Sequence, residues 1–196
     1  MDRGTIDFYS QKAADYAEFV GDAEDNPELR HFIACLAPGA TCLDFGCGHG
    51  WAARQMIDAG FQTTAIDASP GLAAEAKARY GVDVDVMAFE ALDAVEAYDG
   101  LWVSFSLLHD TRAAFPKHLE RLRQAARENG LLFIGLKEGE GDERDVHNRL
   151  YTYFSESEVT QALGRTGWRL TDFSRKMMPG MAGKDEACLH FFARTA

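Results

Sequence analysis

No uninterrupted apolar run in the chain approaches the roughly 20 residues that a membrane-spanning helix needs. Positive charge is also scarce: Lys and Arg total 20 against 31 Asp and Glu, a formal charge of −11. So acidic a chain repels phosphate backbones and anionic lipid, which disfavours nucleic-acid and membrane partners. Cysteines are few, and none of Cys35, Cys42, Cys47 and Cys188 forms a Cys-x-x-Cys pair. A zinc site needs four nitrogen or sulfur ligands at tighter spacing, so no metal is expected. The opening Met1-Asp2-Arg3-Gly4-Thr5-Ile6-Asp7 lacks the basic-then-apolar pattern of a secretory signal. A reduced, cytoplasmic protein, monomeric or homodimeric, is the expectation. Internal repeats and low-complexity stretches are absent.

What is present is an ordinary globular composition: 196 residues, 46% hydrophobic and 26% charged. That length supports a real core without staples and predicts one domain over residues 1–196. Within it, 1–38 reads as a helical lid, with helices over 6–20 and 27–36, and 39–196 as the core. From residue 41 onward, short apolar runs alternate with amphipathic stretches. The expected strands are 41–45, 62–66, 82–86, 99–105, 131–136, 168–173 and 187–193. The expected helices are 51–59, 70–80, 113–128 and 155–166. Ser69 before Pro70 and Gly81 after Tyr80 bound the second of these, and Ser155 opens the last. Residues 139–145 are glycine-rich and charged and read as a loop. Residues 179–183 read as the turn that makes the last two strands antiparallel. The pattern predicts an α/β fold: a seven-stranded, mostly parallel Rossmann-like sheet with one antiparallel edge strand and helices on both faces.

Leu43-Asp44-Phe45-Gly46-Cys47-Gly48-His49-Gly50 leaves a strand and opens a helix. Glycines there let backbone approach a ligand closely, and the helix start offers free N–H groups. A phosphate-cradling P-loop would end in Gly-Lys-Ser or Gly-Lys-Thr, whereas Gly50 is followed by Trp51 and Ala52. The dinucleotide fingerprint requires glycine where Trp51 stands. The remaining pattern, Asp-x-Gly-x-Gly-x-Gly, puts the carboxylate of Asp44 where it can accept from an ammonium. Asp67, at the end of the next strand, can take both hydroxyls of a ribose. Two acids suit a cationic, diol-bearing ligand such as S-adenosylmethionine (SAM) better than a dinucleotide.

With Ala65-Ile66-Asp67-Ala68-Ser69, Tyr98-Asp99-Gly100-Leu101-Trp102-Val103 and Gly130-Leu131-Leu132-Phe133-Ile134, this loop makes the chain resemble the class I SAM-dependent methyltransferases over about residues 40–137. A short chain with Leu107-Leu108-His109 is similar to their small-molecule, tellurite-resistance-like branch. The resemblance implies SAM as cofactor, S-adenosylhomocysteine (SAH) as product and a small-molecule methyl acceptor. It implies that Asp44, Gly46 and Gly48 underlie the methionyl part, with backbone from Cys47, His49 and Gly50. It gives Asp67 the ribose, Ala68 the place beside it and Leu72 an adenine contact. The family's acid after the third strand is replaced by Ala88, leaving Phe89, Glu90 or backbone for the adenine edge. Ser104 would line the methionyl end, and Tyr16 would lie over the cofactor. A nicotinamide-dependent oxidoreductase and a non-catalytic SAM-binding protein are the alternatives.

Methyl transfer from a sulfonium needs alignment more than acid–base help, and a base only when the acceptor arrives protonated. His109, just past the fourth strand, is the candidate base, against the plainer reading of a histidine bonded to its own loop. His49 is expected to point to solvent, and Cys47 to fill the loop without reacting. Tyr9 and Tyr16, seven apart, share a helix face and serve either core or lid. Tyr151 and Tyr153 precede the last helix and are candidates, with Tyr9 and His109, for the acceptor pocket. Lys137 to Arg144 reads as a solvated loop.

Overall fold

The apolar run Thr41–Phe45 forms β1, and its odd and even residues face opposite sides, as strand geometry requires. The computed structural model describes residues 1–21, 26–179 and 185–196. β1 pairs in parallel with β2 (Gln62–Asp67) and β4 (Tyr98–Ser104). β3 (Val84–Val86) lies outside β2, and β5 (Ala126–Lys137) outside β4, both parallel. The strands β8 (Trp168–Pro179) and β9 (Asp185–Thr195) complete a sheet of order β3-β2-β1-β4-β5-β9-β8. This is the expected seven-stranded, mostly parallel sheet. Its antiparallel strand is β9, held between β5 and β8 at one margin. Of the turn expected over 179–183, Pro179 is the last residue of β8, and 180–183 lie outside the described residues.

On one face Leu43, Phe45, Leu101, Val103, Leu132 and Ile134 pack beneath α6 (Phe115–Ala125) and α7 (Glu156–Arg165). On the other, Cys42, Trp102 and Phe133 meet Leu29 and Phe32 of α3 (Pro27–Ala34) and Met56 of α4 (Trp51–Asp58). A Cβ on Gly100 would stand 2.8 Å from the Phe32 ring, so this glycine lets α3 settle on the sheet. Helix α5 (Pro70–Tyr80) starts with the Ser69 cap and stops at Gly81 in the left-handed conformation, both as expected.

Several boundaries differ from expectation. The helix expected over 6–20 is two, α1 (Arg3–Gln11) and α2 (Ala13–Val20), separated at Lys12. The break falls where Ser10 meets the start of α5: a Cβ on Gly71 would lie 2.3 Å from the Ser10 carbonyl oxygen. The helix expected to reach Glu128 ends at Ala125, because β5 begins pairing with Tyr98 at Ala126. The register then shifts between Tyr98 and Gly100 to absorb residues 127–130. The segment expected as a loop over 139–145 contains β6 (Asp142–Arg144), which pairs antiparallel with β7 (Leu150–Thr152). All three β6 residues are exposed, so no alternation of apolar and polar residues signals the strand. Lys137 is the last residue of β5 rather than part of a solvated loop.

Candidate active site

β1 ends against the glycine loop, where Gly46, Gly48 and Gly50 hold φ of 77°, 58° and 85°. Side chains resist that left-handed region. A Cβ on Gly46 would also lie 2.3 Å from Cβ of Ser106, whose hydroxyl donates to the Phe45 carbonyl at 2.7 Å. The loops after β1 and β4 are therefore pinned together. The amides of Gly46 and Cys47 both donate to the Ile66 carbonyl at 2.9 Å. The Asp67 carboxylate accepts from the Gly48 amide at 2.9 Å and the Ser69 amide at 2.8 Å. These bonds to the charged form oppose the burial that pushes its pKa up.

Asp44 lies on β1 just before the loop, 2% exposed. The Ala53 amide supports its carboxylate, but Oδ2 has no hydrogen-bond partner among the described residues. Burial pushes its pKa up to about 8, with nearby Asp67 adding repulsion. A buried acceptor left unpaired costs about 1–3 kcal/mol. An ammonium delivered beside it would remove that cost.

Asp44 faces a cavity of about 380 Å³. Gly46, Cys47, Gly48, His49, Tyr16 and Ser104, all expected at the cofactor, also line it. The Tyr16 ring lies over Gly48, with Cε1 3.7 Å from where a Cβ would stand. Contrary to expectation, His49 is not directed at solvent: it is 1% exposed, and its Nε2 lies 3.1 Å from the Gly21 carbonyl at the end of α2. Cys47 packs against Ala53, Ala65 and Ala76, and burial drives its thiol pKa far up, so it is an inert filler.

The residues expected around adenosine lie outside this cavity. Gly50, expected with the methionyl loop, also lies outside it, at the start of α4 and tight against Ala76. Leu72 is covered by Tyr9 and Ala13, and the Ser10 and Ser69 hydroxyls bond at 3.0 Å. Ala68 is half-buried and Ala88 exposed. Phe89 is fully buried, stacked on Phe45 at 4.5 Å, and so belongs to the core. Glu90 pairs with the Met1 ammonium at 2.6 Å. Helices α1 and α2 thus lie across this half of the site. Among the described residues, Glu90, Asp110 and His118 bring three ligand atoms within 4.8 Å of one another. The Met1 ammonium bonds both carboxylates there, so their charge is already met.

Three of the four residues expected at the acceptor line the cavity: Tyr9, His109 and Tyr151. Tyr153 is not brought in; its hydroxyl donates to Glu143 on β6. His109 Nδ1 lies 2.8 Å from the Leu150 carbonyl, which can only accept, so Nδ1 carries the proton. Its Nε2 then accepts from the Tyr9 hydroxyl at 3.0 Å, and that oxygen accepts from Arg149 at 3.1 Å. Burial, helped by the positive charges of Arg149 and Lys137, lowers the His109 pKa to about 4. The ring is a neutral post holding Tyr9, with no free lone pair for an acceptor's proton.

Sequence reasoning missed several lining residues. Lys137 and Glu186 form an ion pair of 2.7 Å at the β5–β9 side, and Phe105, Leu108 and Met178 add apolar wall. Phe105 is held at φ 54°, a conformation that a bulky residue rarely adopts. The apolar pattern of β5 could have placed Lys137 at a strand end, but nothing local marks Glu186 as its partner.

Residues 42–130 match the model of a methyltransferase domain family. No curated protein matches the chain significantly. Among solved structures, the Burkholderia thailandensis 1,6-didemethyltoxoflavin-N1-methyltransferase, with bound 1,6-didemethyltoxoflavin and SAH, is 25% identical. Its TM-score is 0.79, over 97% of this chain and 86% of that one. The magnesium protoporphyrin IX methyltransferase of Synechocystis with bound SAH is 16% identical, with TM-score 0.78 over 100% of both chains. A TehB-like SAM-dependent methyltransferase from Corynebacterium glutamicum is 17% identical, with TM-score 0.72 over 96% of this chain and 98% of that one.

Proposed function

As a SAM-dependent methyltransferase of the class I fold, the chain needs a second substrate, and we propose that this is a small organic molecule bound beside the glycine loop. The observation that carries the reading is Asp44, whose unpaired, buried Oδ2 borders the cavity under a backbone that only glycines allow. This donor-starved carboxylate fits the ammonium of SAM. The Gly46–Gly48 backbone underlies the methionyl chain, and Ser104 borders its end. Asp67 keeps acceptor capacity for ribose hydroxyls beyond the bonds it takes from the Gly48, Ala68 and Ser69 amides. Ala68, Leu72, Ala88 and Glu90 are assigned to the adenine side, Phe89 stays in the core against Phe45, and Tyr16 closes over the loop. Bound SAM supplies an activated methyl group; the protein supplies alignment and a site closed to water.

Helices α1 and α2 serve as the lid over the adenosine half. Tyr9, held by His109 and Arg149, and Tyr151 wall the acceptor space. A cavity of about 380 Å³ suits a small acceptor and not a polymer. The acidic surface also disfavours nucleic acid. The solved methyltransferase with bound 1,6-didemethyltoxoflavin supports the same class of acceptor. Four free thiols suit a reducing, cytoplasmic setting. The tellurite-resistance-like branch rests on the short chain and Leu107-Leu108-His109 alone.

The test is methyl-labelled SAM added with the protein to a size-fractionated cell extract. Label in a small-molecule product separated by chromatography from SAM and its breakdown products, and lost in Asp44→Asn, supports the reading. Label confined to protein or nucleic acid overturns it.

A further inference from the structure

The acceptor side of the cavity carries opposite charges already joined to each other. Lys137, at the end of β5, has its Nζ 2.7 Å from Glu186 Oε2 and 4.0 Å from the centre of the Tyr151 ring. The side chains of Lys137 and Glu186 are 16% and 30% exposed, so both are largely withdrawn from bulk water. Both line the cavity that Asp44 and Ser104 border. Neither is needed to hold the strands, since β5 and β9 are joined by a full backbone register from Leu131–Arg194 to Lys137–Cys188.

The bonding capacity of this pair is not used up. An ammonium carries three N–H donors, and a carboxylate accepts about four hydrogen bonds. Each group therefore has positions left to offer a ligand while their mutual contact persists. An anionic ligand would gain from Lys137 but face Glu186, and a cationic one would meet the reverse. Either would add net charge to a partly desolvated site, which costs free energy unless that charge is matched. A neutral ligand presenting one acceptor and one donor side by side pays no such cost, and it can bond to both members at once.

The neighbouring walls limit the ligand's shape. Phe105 lies against the bare Cα of Gly135, where a Cβ would be 3.2 Å from the ring. Its left-handed backbone is a strained conformation kept at the end of β4 beside the cavity. With Leu108, Tyr151 and Met178, it gives the space flat or apolar sides. Resting on the methyltransferase reading above, we propose that Lys137 and Glu186 clamp the edge of a neutral, flat ring in which an N–H adjoins a carbonyl. Lys137 donates to the carbonyl oxygen, and Glu186 accepts from the N–H. The acceptor is thus a lactam- or imide-bearing heterocycle rather than a carboxylate, an amine or a plain hydrocarbon.

Calorimetry on the SAH-loaded protein tests this with three probes: lumazine, whose rings carry such edges; 1,3-dimethyllumazine, in which both N–H groups are blocked; and 2-naphthoate, a flat anion. Lumazine should bind at least about tenfold more tightly than the other two. Lys137→Met and Glu186→Gln should each weaken lumazine by about tenfold and leave SAH affinity unchanged. Retained SAH affinity also reports that each variant is folded. Tightest binding by 2-naphthoate, no discrimination between the two lumazines, or no lumazine binding to SAH-loaded protein would each overturn the clamp while leaving the methyltransferase reading intact. Failure of the unmodified protein to bind SAH would overturn both.

Discussion

Gly48 donates its amide to Asp67 at 2.9 Å, so the loop that follows β1 and the carboxylate that ends β2 set each other's position. Asp67→Ala removes this bond and the one from Ser69. SAM affinity should fall by about 1–3 kcal/mol through lost charge-assisted hydrogen bonds. Isothermal calorimetry measures it, and an unchanged dissociation constant would show that Asp67 does not serve the ribose.

Asp44 couples binding to protons. Its pKa stands at about 8 in place of an ordinary 3.8. A cofactor ammonium stabilises the ionised carboxylate, so binding at neutral pH expels a proton. Affinity should rise with pH toward about 8 and fall above it, as the ligand's own α-amino group, with an ordinary pKa of about 7.7–8, loses its proton. Titrations in two buffers of different ionisation enthalpy should show proton release in the wild type and none in Asp44→Asn. Stability has the opposite slope. The unfolded carboxyl loses its proton near 3.8, while the folded one keeps it to about 8, so stability falls as pH rises through that window. Thermal unfolding of Asp44→Asn should lack that component.

His109 titrates the other way. Lowered from an ordinary 6.5 to about 4, it contributes stability that is present above pH 6.5 and lost as the pH falls toward 4. Turnover should show no His109-dependent inflection near neutrality. Such an inflection, abolished by His109→Gln, would restore it as a base. Tyr9→Phe removes the hydrogen bonds to His109 and Arg149 and should cost about 0.5–1.5 kcal/mol for each. Urea denaturation reads that loss.

Gly71→Ala forces backbone apart, because the new Cβ would lie 2.3 Å from the Ser10 carbonyl oxygen and 2.8 Å from its Cα. Helices α1 and α2 should lift from α5. Limited proteolysis should then cut within the first 21 residues faster than in the wild type, while the melting temperature of the sheet changes little. Equal cleavage rates would show that the contact is not what seats these helices.

The sheet was legible in sequence because parallel strands buried on both faces read as apolar runs between helical stretches. The glycine loop was legible because left-handed backbone and close approach leave few residue choices. What stayed hidden was pairwise and distant. β6 has no buried face, so nothing in Asp142-Glu143-Arg144 announces a strand. His49 looked like a loop tip until α2 brought the Gly21 carbonyl over it. Phe89 carries a strong apolar signal, but a signal of that kind does not distinguish a purine's neighbour from a ring stacked on Phe45. Lys137 and Glu186 are 49 positions apart in sequence (186 − 137), and only the β5–β9 register joins them.

That register also imposes an order of assembly. Four adjacent strands, β3-β2-β1-β4, come from residues 41–104 and include both acids assigned to the cofactor. The outer side of β5 pairs with β9, at residues 185–195, rather than with any segment made soon after it. During synthesis, a growing chain can shape its nucleoside-binding half early, yet β5 keeps a raw margin until the ribosome has passed residue 195. Glu186, one half of the charged pair on the acceptor side, therefore joins the cavity only when β9 pairs with β5, after every strand that carries an acid assigned to the cofactor.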